Sequence, residues 1–275
     1  MGYTKQDIKL NNGKYMPSIG FGTSLVTGEE CTKTIKSAIN VGYRHIDTAS
    51  AYENEKEIGE AIKQSKVDRK ELFITSKVWK DSMGYDNTLK SFQNSLDNLG
   101  LEYIDLFLIH WPRNNDENLN IETWKALEKI YKEGKVKAIG VSNFLKHHLE
   151  ALLPHCEIYP MVNQIEFHPG LMRKETKEFC MEKNIVLEAW APLGKGKMLD
   201  NEKLINIAQK YNKSIAQLCL KWCLQNNVVP LPKSQNETRM KQNLDLFDFE
   251  ITEEDMKIIN NMEFFAGSDM DPNKS

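Results

Sequence analysis

The feature that most constrains this sequence is a short β-rich run followed by a helical pattern, repeated to the end of the chain. Eight runs have the composition of strands, at residues 18–22, 44–48, 72–77, 105–110, 137–142, 161–166, 185–189 and 228–232. Helix-like segments lie between them, at 29–40, 55–63, 85–99, 122–133, 146–153, 174–183 and, as a longer pair, across 202–225. Eight such β-then-α units in about 250 residues are typical of a (β/α)8 barrel.

A doubly wound parallel sheet is the alternative fold for the same alternation. That fold usually carries a G-x-G-x-x-G fingerprint after its first strand, and here Leu25 stands where the third glycine belongs. We therefore predict an α/β protein with a (β/α)8 TIM barrel, formed as a single domain by residues 1–275. A strong turn signal at Asn12-Gly13 also predicts an N-terminal β-hairpin that closes the barrel bottom.

Composition and simple motifs exclude several classes of protein. Lys and Arg total 36 against 39 Asp and Glu, so the net charge of −3 gives no general attraction for nucleic acid or anionic lipid. The sequence shows no apolar run of the roughly 20 residues that a membrane span needs, no secretory signal and no disulfide spacing of its five cysteines. Metal-binding spacings are also missing. We expect a soluble, cytoplasmic, metal-free monomer that binds a small molecule.

Polar or aromatic residues end seven consecutive strand candidates or lie in the loops behind them. Barrel enzymes place their active sites at this end of the strands, and most of these positions would otherwise continue apolar runs. Their joint occurrence therefore indicates one functional face. In chain order they are Asp47 with Tyr52 in the loop behind it, Lys77, His110-Trp111, Ser142-Asn143, Asn163-Gln164, Trp190 and Lys233-Ser234.

Four of these residues have the chemistry needed for carbonyl reduction. A free tyrosine has a pKa of about 10, and a nearby ammonium lowers that pKa towards the range in which a general acid works. Lys77 supplies the ammonium, and Asp47 can keep it charged and correctly aimed. His110 can donate a hydrogen bond to the reacting oxygen. This set predicts that Tyr52 protonates a developing alkoxide while an external donor supplies hydride.

Several motifs, in order and correctly spaced, resemble the aldo-keto reductase superfamily. They are GYRHIDTASAYENEKEIGEAI, FITSKVW, DLFLIHWP, KAIGVSNF, NQIEFHP, APLGKG and LPKSQNETRMKQN, within a resemblance from about residue 5 to about residue 262. The sequence looks most similar to the small bacterial and protozoal reductases of the glyoxal, 2,5-diketogluconate and prostaglandin F synthase types. The resemblance implies NADPH-dependent reduction of aldehydes, dicarbonyls or ketones to alcohols.

The resemblance also implies roles for individual residues. Tyr52 matches the family's proton donor, and Asp47, Lys77 and His110 match its catalytic partners. The implied cofactor-binding residues are Asp47; Ser142, Asn143 and Gln164 at the carboxamide; Trp190 against the nicotinamide; Pro192, Leu193 and Gly194 at the pyrophosphate; Lys233, Ser234 and Arg239 at the 2′-phosphate; and Gln242 and Asn243 at the adenine. The substrate is expected against Tyr52, Trp79, His110 and Trp111, with Phe21 as a further wall.

The sequence departs from the family pattern at three places. Gln242 stands where the family usually has Glu, Ser24 stands where many relatives have Trp, and the C-terminal tail over 263–275 is short. The last two departures predict a wider, less selective pocket. Two other functions stay open, namely a cofactor-sensing module with little turnover and a different barrel enzyme such as a phosphate-sugar isomerase. The isomerase would need a glutamate base at a strand end, and no such glutamate in this sequence pairs convincingly with Lys233-Ser234.

Overall fold

The computed structural model describes residues 7–275. Within that range the chain forms ten strands and ten α-helices. The strands are β1 (Ile8–Lys9), β2 (Tyr15–Met16), β3 (Phe21–Gly22), β4 (His45–Asp47), β5 (Phe73–Val78), β6 (Ile104–Ile109), β7 (Val136–Ser142), β8 (Val162–Glu166), β9 (Val186–Trp190) and β10 (Val228–Pro230). The helices are α1 (Gly28–Val41), α2 (Glu55–Gln64), α3 (Tyr85–Leu99), α4 (Glu117–Lys132), α5 (Lys146–Leu152), α6 (Lys174–Glu182), α7 (Glu202–Lys210), α8 (Ile215–Gln225), α9 (Glu237–Leu244) and α10 (Glu253–Asn260).

Strands β3 to β10 form one parallel sheet in which each strand pairs with the next along the chain. Two backbone hydrogen bonds join the last strand to the first. The Gly20 N–H donates to the Pro230 oxygen and the Gly22 N–H donates to the Pro232 oxygen, each at 3.0 Å. A Cβ at position 20 would lie 2.4 Å from Leu231 Cδ2 and 2.8 Å from His45 Nδ1, so a larger residue there would displace buried side chains. The predicted (β/α)8 barrel is confirmed.

The central strands and the helix ends follow the sequence pattern closely. Strands β5 and β6 are buried along their whole length, as expected when helices cover one face and the barrel interior the other. Gly42, Gly100 and Gly134 follow α1, α3 and α4 with φ values of 118°, 63° and 73°. Because L-residues with a Cβ rarely adopt this left-handed conformation, these glycines end the helices as predicted.

The predicted N-terminal hairpin is formed by the antiparallel strands β1 and β2, joined by the turn at Asn12-Gly13. It lies against the N-terminal ends of the barrel strands. The Asn11 side-chain amide donates to the Pro160 oxygen at 2.9 Å, and the Asn12 amide donates to the Lys137 oxygen at 3.0 Å. The hairpin therefore closes the barrel bottom and leaves the opposite end open to a ligand.

Two helices, α9 and α10, lie where the sequence analysis predicted none. Each is only eight residues long, and α9 starts where the Asn236 side chain accepts a hydrogen bond from the Arg239 N–H. Helix α4 also begins earlier than predicted, at Glu117, because the Asp116 side chain caps the Leu119 N–H. In the part of the chain that the structure describes, no helix is long and apolar enough to cross a membrane.

Candidate active site

A cavity of about 1860 Å³ opens at the C-terminal ends of the barrel strands. This volume exceeds that of an ordinary ligand pocket, so it has room for a dinucleotide together with a small substrate. Nearly all predicted site residues lie on its wall: Asp47, Tyr52, Trp79, His110, Trp111, Ser142, Asn143, Gln164, Trp190, Pro192, Leu193, Lys233, Ser234, Arg239, Gln242 and Asn243. Lys77 and Gly194 are buried behind this wall.

A buried ion pair between neighbouring strands lies beneath the cavity. The Lys77 ammonium on β5 lies 2.7 Å from Asp47 Oδ1 on β4 and donates to the Thr48 oxygen at 2.8 Å. Burial lowers the pKa of Lys77, but the nearby Asp47 and Tyr52 raise it by more, so the net shift is upward. Lys77 therefore carries a fixed positive charge at neutral pH.

Tyr52, at the end of a 3₁₀ turn after β4, lies next to this ammonium. Lys77 Nζ is 5.3 Å from the centroid of the Tyr52 ring. Burial raises the pKa of Tyr52 and the charge of Lys77 lowers it, with a net shift above the ordinary value of 10.0. The net lowering predicted from the sequence is thus wrong for this chain, because desolvation of the phenolate outweighs the attraction of the ammonium. Tyr52 therefore keeps its proton at neutral pH, and the charge of Lys77 partly offsets the cost of forming the buried phenolate when that proton is given up.

His110 approaches Tyr52 edge-on, with ring centroids 5.5 Å apart, and Trp79 packs edge-on against its ring at 5.0 Å. Burial and the charge of Lys77 lower the pKa of His110 well below 6.5. Its Nδ1 has no hydrogen-bond partner within residues 7–275. The neutral imidazole carries one N–H, so His110 can donate a single hydrogen bond without acting as an acid itself.

Polar side chains at the C-terminal end of β7 hold the aromatic wall of the cavity in place. Asn143, with φ of 64°, donates through Nδ2 to the His110 oxygen at 2.9 Å and accepts from Trp190 Nε1 at 2.7 Å. The Ser142 hydroxyl donates to the Gln164 backbone oxygen at 2.9 Å. Asn143 thus ties the ring of the half-buried Trp190 to the backbone at His110.

Gln164 connects the ion pair to a residue that the sequence analysis did not single out. Its Nε2 donates to Asp47 Oδ2 and to Glu188 Oε2, each at 2.8 Å. The pattern of polar residues at strand ends does not include Glu188, which lies inside β9. Side chains two residues apart point to the same face of a strand, so Glu188 shares its face with Trp190. The alternation of side chains along β9 therefore indicates that Glu188 points to the same side as Trp190.

Cations line another part of the cavity. Lys233 donates through Nζ to the Ser24 oxygen at 3.0 Å, and Lys233 and Arg239 are both exposed. Partial desolvation by the surrounding wall and the charge of Lys195 lower the pKa of Lys233. Lys195, which directly follows the predicted pyrophosphate loop, also lies on the wall. Clustered lysine and arginine side chains favour a phosphate group, which accepts charge-assisted hydrogen bonds.

Phe21 is not a wall of the cavity. Its side chain is fully buried and packs edge-on against Tyr43, with ring centroids 5.0 Å apart. The C-terminal tail supplies a different residue, because Met270 lies on the cavity wall. Ser268 anchors the tail by donating through its N–H and hydroxyl to the Glu166 carboxylate at 2.7 and 2.8 Å. The C-terminal tail therefore supplies part of the cavity wall.

The side chains on the cavity wall suit NADPH better than they suit a metal ion. Amide groups and an aromatic ring lie beside the Tyr52 cluster, a buried Gly194 with φ of 54° allows a tight loop, and cations lie at Lys233 and Arg239. These are groups that a carboxamide, a planar ring, a pyrophosphate and a 2′-phosphate would meet. Among residues 7–275, no group of three or more His, Cys, Asp and Glu side chains could hold a metal ion.

Comparisons with known proteins give one consistent result. A sequence profile described as Aldo/keto reductase family matches residues 18–263. The glyoxal reductase of Bacillus subtilis is 54% identical over 253 residues, which cover 92% of this chain and 91% of that protein. The 9,11-endoperoxide prostaglandin H2 reductase of Trypanosoma cruzi is 46% identical over 259 residues, with coverages of 93% and 90%. The crystal structure of a Bombyx mori aldo-keto reductase in complex with NADP has a TM-score of 0.86 at 36% identity, covering 93% of this chain and 92% of that one.

Proposed function

The chain belongs to the aldo/keto reductase family, and we propose that it reduces aldehydes, dicarbonyls or ketones to alcohols with NADPH, with Tyr52 as proton donor. The observation that carries this proposal is the position of Tyr52 at the cavity wall, where Lys77 Nζ lies 5.3 Å from the centroid of its ring and the His110 ring lies 5.5 Å away. When bound, NADPH supplies the hydride that reduces the carbonyl carbon. The residues of the chain supply the proton and the orientation.

Each of the four residues has a separate task in this mechanism. His110 donates a hydrogen bond to the carbonyl oxygen and orients it towards the Tyr52 hydroxyl. Tyr52 transfers its proton to that oxygen as negative charge develops there. The Lys77 ammonium stabilises the resulting phenolate, and Asp47 holds that ammonium at 2.7 Å. A cofactor and a substrate that fill the cavity would displace bulk water from Tyr52, which would strengthen these electrostatic interactions.

The proposed cofactor assignments are those that the family resemblance implies, and the presence of these residues around one cavity supports them. We assign the carboxamide to Ser142, Asn143 and Gln164 and the nicotinamide face to Trp190. The pyrophosphate then meets the loop of Pro192, Leu193 and Gly194, and the 2′-phosphate meets Lys233, Ser234 and Arg239. Gln242 and Asn243 complete the adenine end, where the glutamine offers an amide instead of the family's usual carboxylate.

Small dicarbonyl compounds are the substrate class that we favour. The Bacillus subtilis relative at 54% identity is a glyoxal reductase, and the wall beside Tyr52 is formed by Trp79 and Trp111. Steady-state rates with methylglyoxal, phenylglyoxal and a simple ketone test this assignment. We expect kcat/KM to be highest for a dicarbonyl, and a simple ketone that surpasses both dicarbonyls would contradict the substrate assignment.

Lys233→Ala is expected to raise the Kd of NADPH by about tenfold to a hundredfold, because charge-assisted hydrogen bonds contribute about 1.5–3 kcal/mol. The Kd of NADH, which lacks the 2′-phosphate, should change by less than about threefold. Fluorescence titration of both nucleotides measures these constants. Lys241→Ala is the matched control, since Lys241 pairs with Glu237 on α9 and is not part of the cavity wall. Equal losses for NADPH and NADH would contradict the 2′-phosphate assignment.

The rate of reduction is expected to show no inflection near pH 6.5, the ordinary pKa of histidine. Burial and Lys77 lower the pKa of His110, so the imidazole stays neutral as the pH falls through that value. A profile of kcat against pH at saturating NADPH and substrate tests this expectation. An inflection near that pH which disappears in His110→Gln would show that the imidazole titrates in the ordinary range.

A further inference from the structure

Glu188 carries a buried carboxyl group, and the packing of the barrel interior does not explain why a glutamate stands at this position. Its side chain is fully buried in β9, and Oε2 accepts a hydrogen bond from Gln164 Nε2 at 2.8 Å. Oε1 has no hydrogen-bond partner within residues 7–275. It lies 3.7 Å from His45 Nε2, which instead meets the Thr75 hydroxyl at 2.9 Å. An unpaired buried carboxyl oxygen destabilises the fold. We therefore attribute the presence of a glutamate at position 188 to its hydrogen bond with Gln164.

The two hydrogen bonds from Gln164 determine how its amide can act. An amide nitrogen carries two hydrogens, and the acceptors Asp47 Oδ2 and Glu188 Oε2 engage both of them. A single acceptor fixes one direction, whereas two acceptors fix the plane of the amide and decide which end is the oxygen. Gln164 lines the cavity, and its Oε1 is the one polar atom of the side chain left to bind a ligand.

We propose that Glu188 is a positioning residue that fixes the Gln164 amide so that its Oε1 accepts a hydrogen bond from the carboxamide N–H of the nicotinamide. This inference rests on the proposed function, since it requires the carboxamide to lie at Gln164. Glu188 itself does not touch the ligand, because it is fully buried behind the wall. Its effect on binding therefore passes entirely through Gln164.

The protonation state of Glu188 determines which substitution preserves its role. Burial, and then the charge of Asp47, raise the pKa of Glu188 to about 8. Its neutral form is therefore favoured, beside His45, whose pKa burial lowers to about 3, and the ion pair of Asp47 and Lys77. An uncharged side chain with an acceptor oxygen at the same place should keep the Gln164 orientation. Glutamine has both the shape and the oxygen.

The test compares Glu188→Met with Glu188→Gln in the full-length chain. Calorimetric titration gives the Kd of NADPH and of 2′,5′-ADP, which has the 2′-phosphate but no nicotinamide. Loss of one buried hydrogen bond predicts that Glu188→Met raises the Kd of NADPH by about fivefold to tenfold and leaves that of 2′,5′-ADP unchanged. Glu188→Gln should stay within about twofold of wild type for both ligands.

A double-mutant cycle separates positioning from general damage to the barrel. If Glu188 acts through Gln164, then adding Glu188→Met to Gln164→Ala should cause no further loss of NADPH affinity. Glu128→Met is the matched control, because Glu128 is also a buried glutamate but accepts hydrogen bonds from the backbone at Glu157 and Ile158 and is not part of the cavity wall. If Glu188→Met does not fold, Glu188→Ala removes the same oxygen without overpacking.

The outcomes distinguish this inference from the proposed function. Unchanged NADPH affinity in Glu188→Met, or equal losses for NADPH and 2′,5′-ADP, would overturn the positioning role while the reductase assignment stands. A further loss in the Gln164→Ala background would also overturn it. A wild-type protein that binds 2′,5′-ADP but not NADPH would reject the carboxamide assignment, and failure to bind either ligand would reject the proposed function itself.

Discussion

Replacing Tyr52 by phenylalanine is expected to lower kcat for carbonyl reduction by about 10²–10⁴-fold, which is the usual contribution of a general acid. The substitution removes one oxygen and keeps the ring that packs edge-on against His110. The Kd of NADPH should therefore stay within about threefold of wild type. Single-turnover kinetics with prebound NADPH measure the chemical step directly.

The matched control for this substitution is Tyr43→Phe. Tyr43 is also buried, but its hydroxyl donates to the Met240 backbone oxygen at 3.4 Å and is not part of the cavity wall. We expect Tyr43→Phe to keep near-normal kcat. A Tyr52→Phe variant that keeps more than about a tenth of the wild-type kcat would remove Tyr52 from the role of proton donor.

Lys77→Met has the second largest expected effect, because it changes both stability and activity. Removing one partner of a buried ion pair typically costs about 3–5 kcal/mol, since the other charge stays buried without compensation. Here Asp47 keeps the hydrogen bond from Gln164 at 2.8 Å, so we expect the lower end of that range. Urea unfolding measures the free energy, and kcat should fall as well because the phenolate of Tyr52 loses its stabilising cation.

A double substitution separates these two effects of Lys77. In Asp47→Asn/Lys77→Met the uncompensated charge is gone, so we expect stability to return most of the way to wild type while kcat stays low. Lys132→Met is the surface control, since its partner Glu157 is also exposed and the pair should contribute no measurable stability. A single Lys77→Met variant as stable as wild type would show that the buried pair is not a net stabilising contact.

Local patterns in the sequence identified the fold and the strand-end residues of the cavity wall, whereas the other wall residues were implied only by the family resemblance. The carboxyl ends of parallel strands meet at one end of a barrel, so the positions of Asp47 and Lys77 could be inferred without coordinates. The alternation of strands and helices and the glycine caps were readable for the same reason. Site roles inferred from these positions, such as proton donation by Tyr52, stay predictions until they are measured.

What the sequence did not reveal depends on burial and on distant contacts. The net pKa shift of Tyr52 is a difference between desolvation and the attraction of Lys77, and its sign requires the depth of the site. Glu188 lies in mid-strand, where its partner Gln164 is known only after strand pairing. Met270 reaches the cavity because Glu166 holds Ser268, a contact between residues 102 positions apart.

The central claim is that this protein reduces carbonyl compounds with NADPH and a tyrosine proton donor. The most direct test is NADPH oxidation by the wild type and Tyr52→Phe with methylglyoxal, phenylglyoxal and simple aldehydes. We predict turnover by the wild type and its loss in the variant, with NADPH binding retained by both. Tight NADPH binding by the wild type without turnover of any carbonyl would contradict this account and would indicate a cofactor-sensing protein instead.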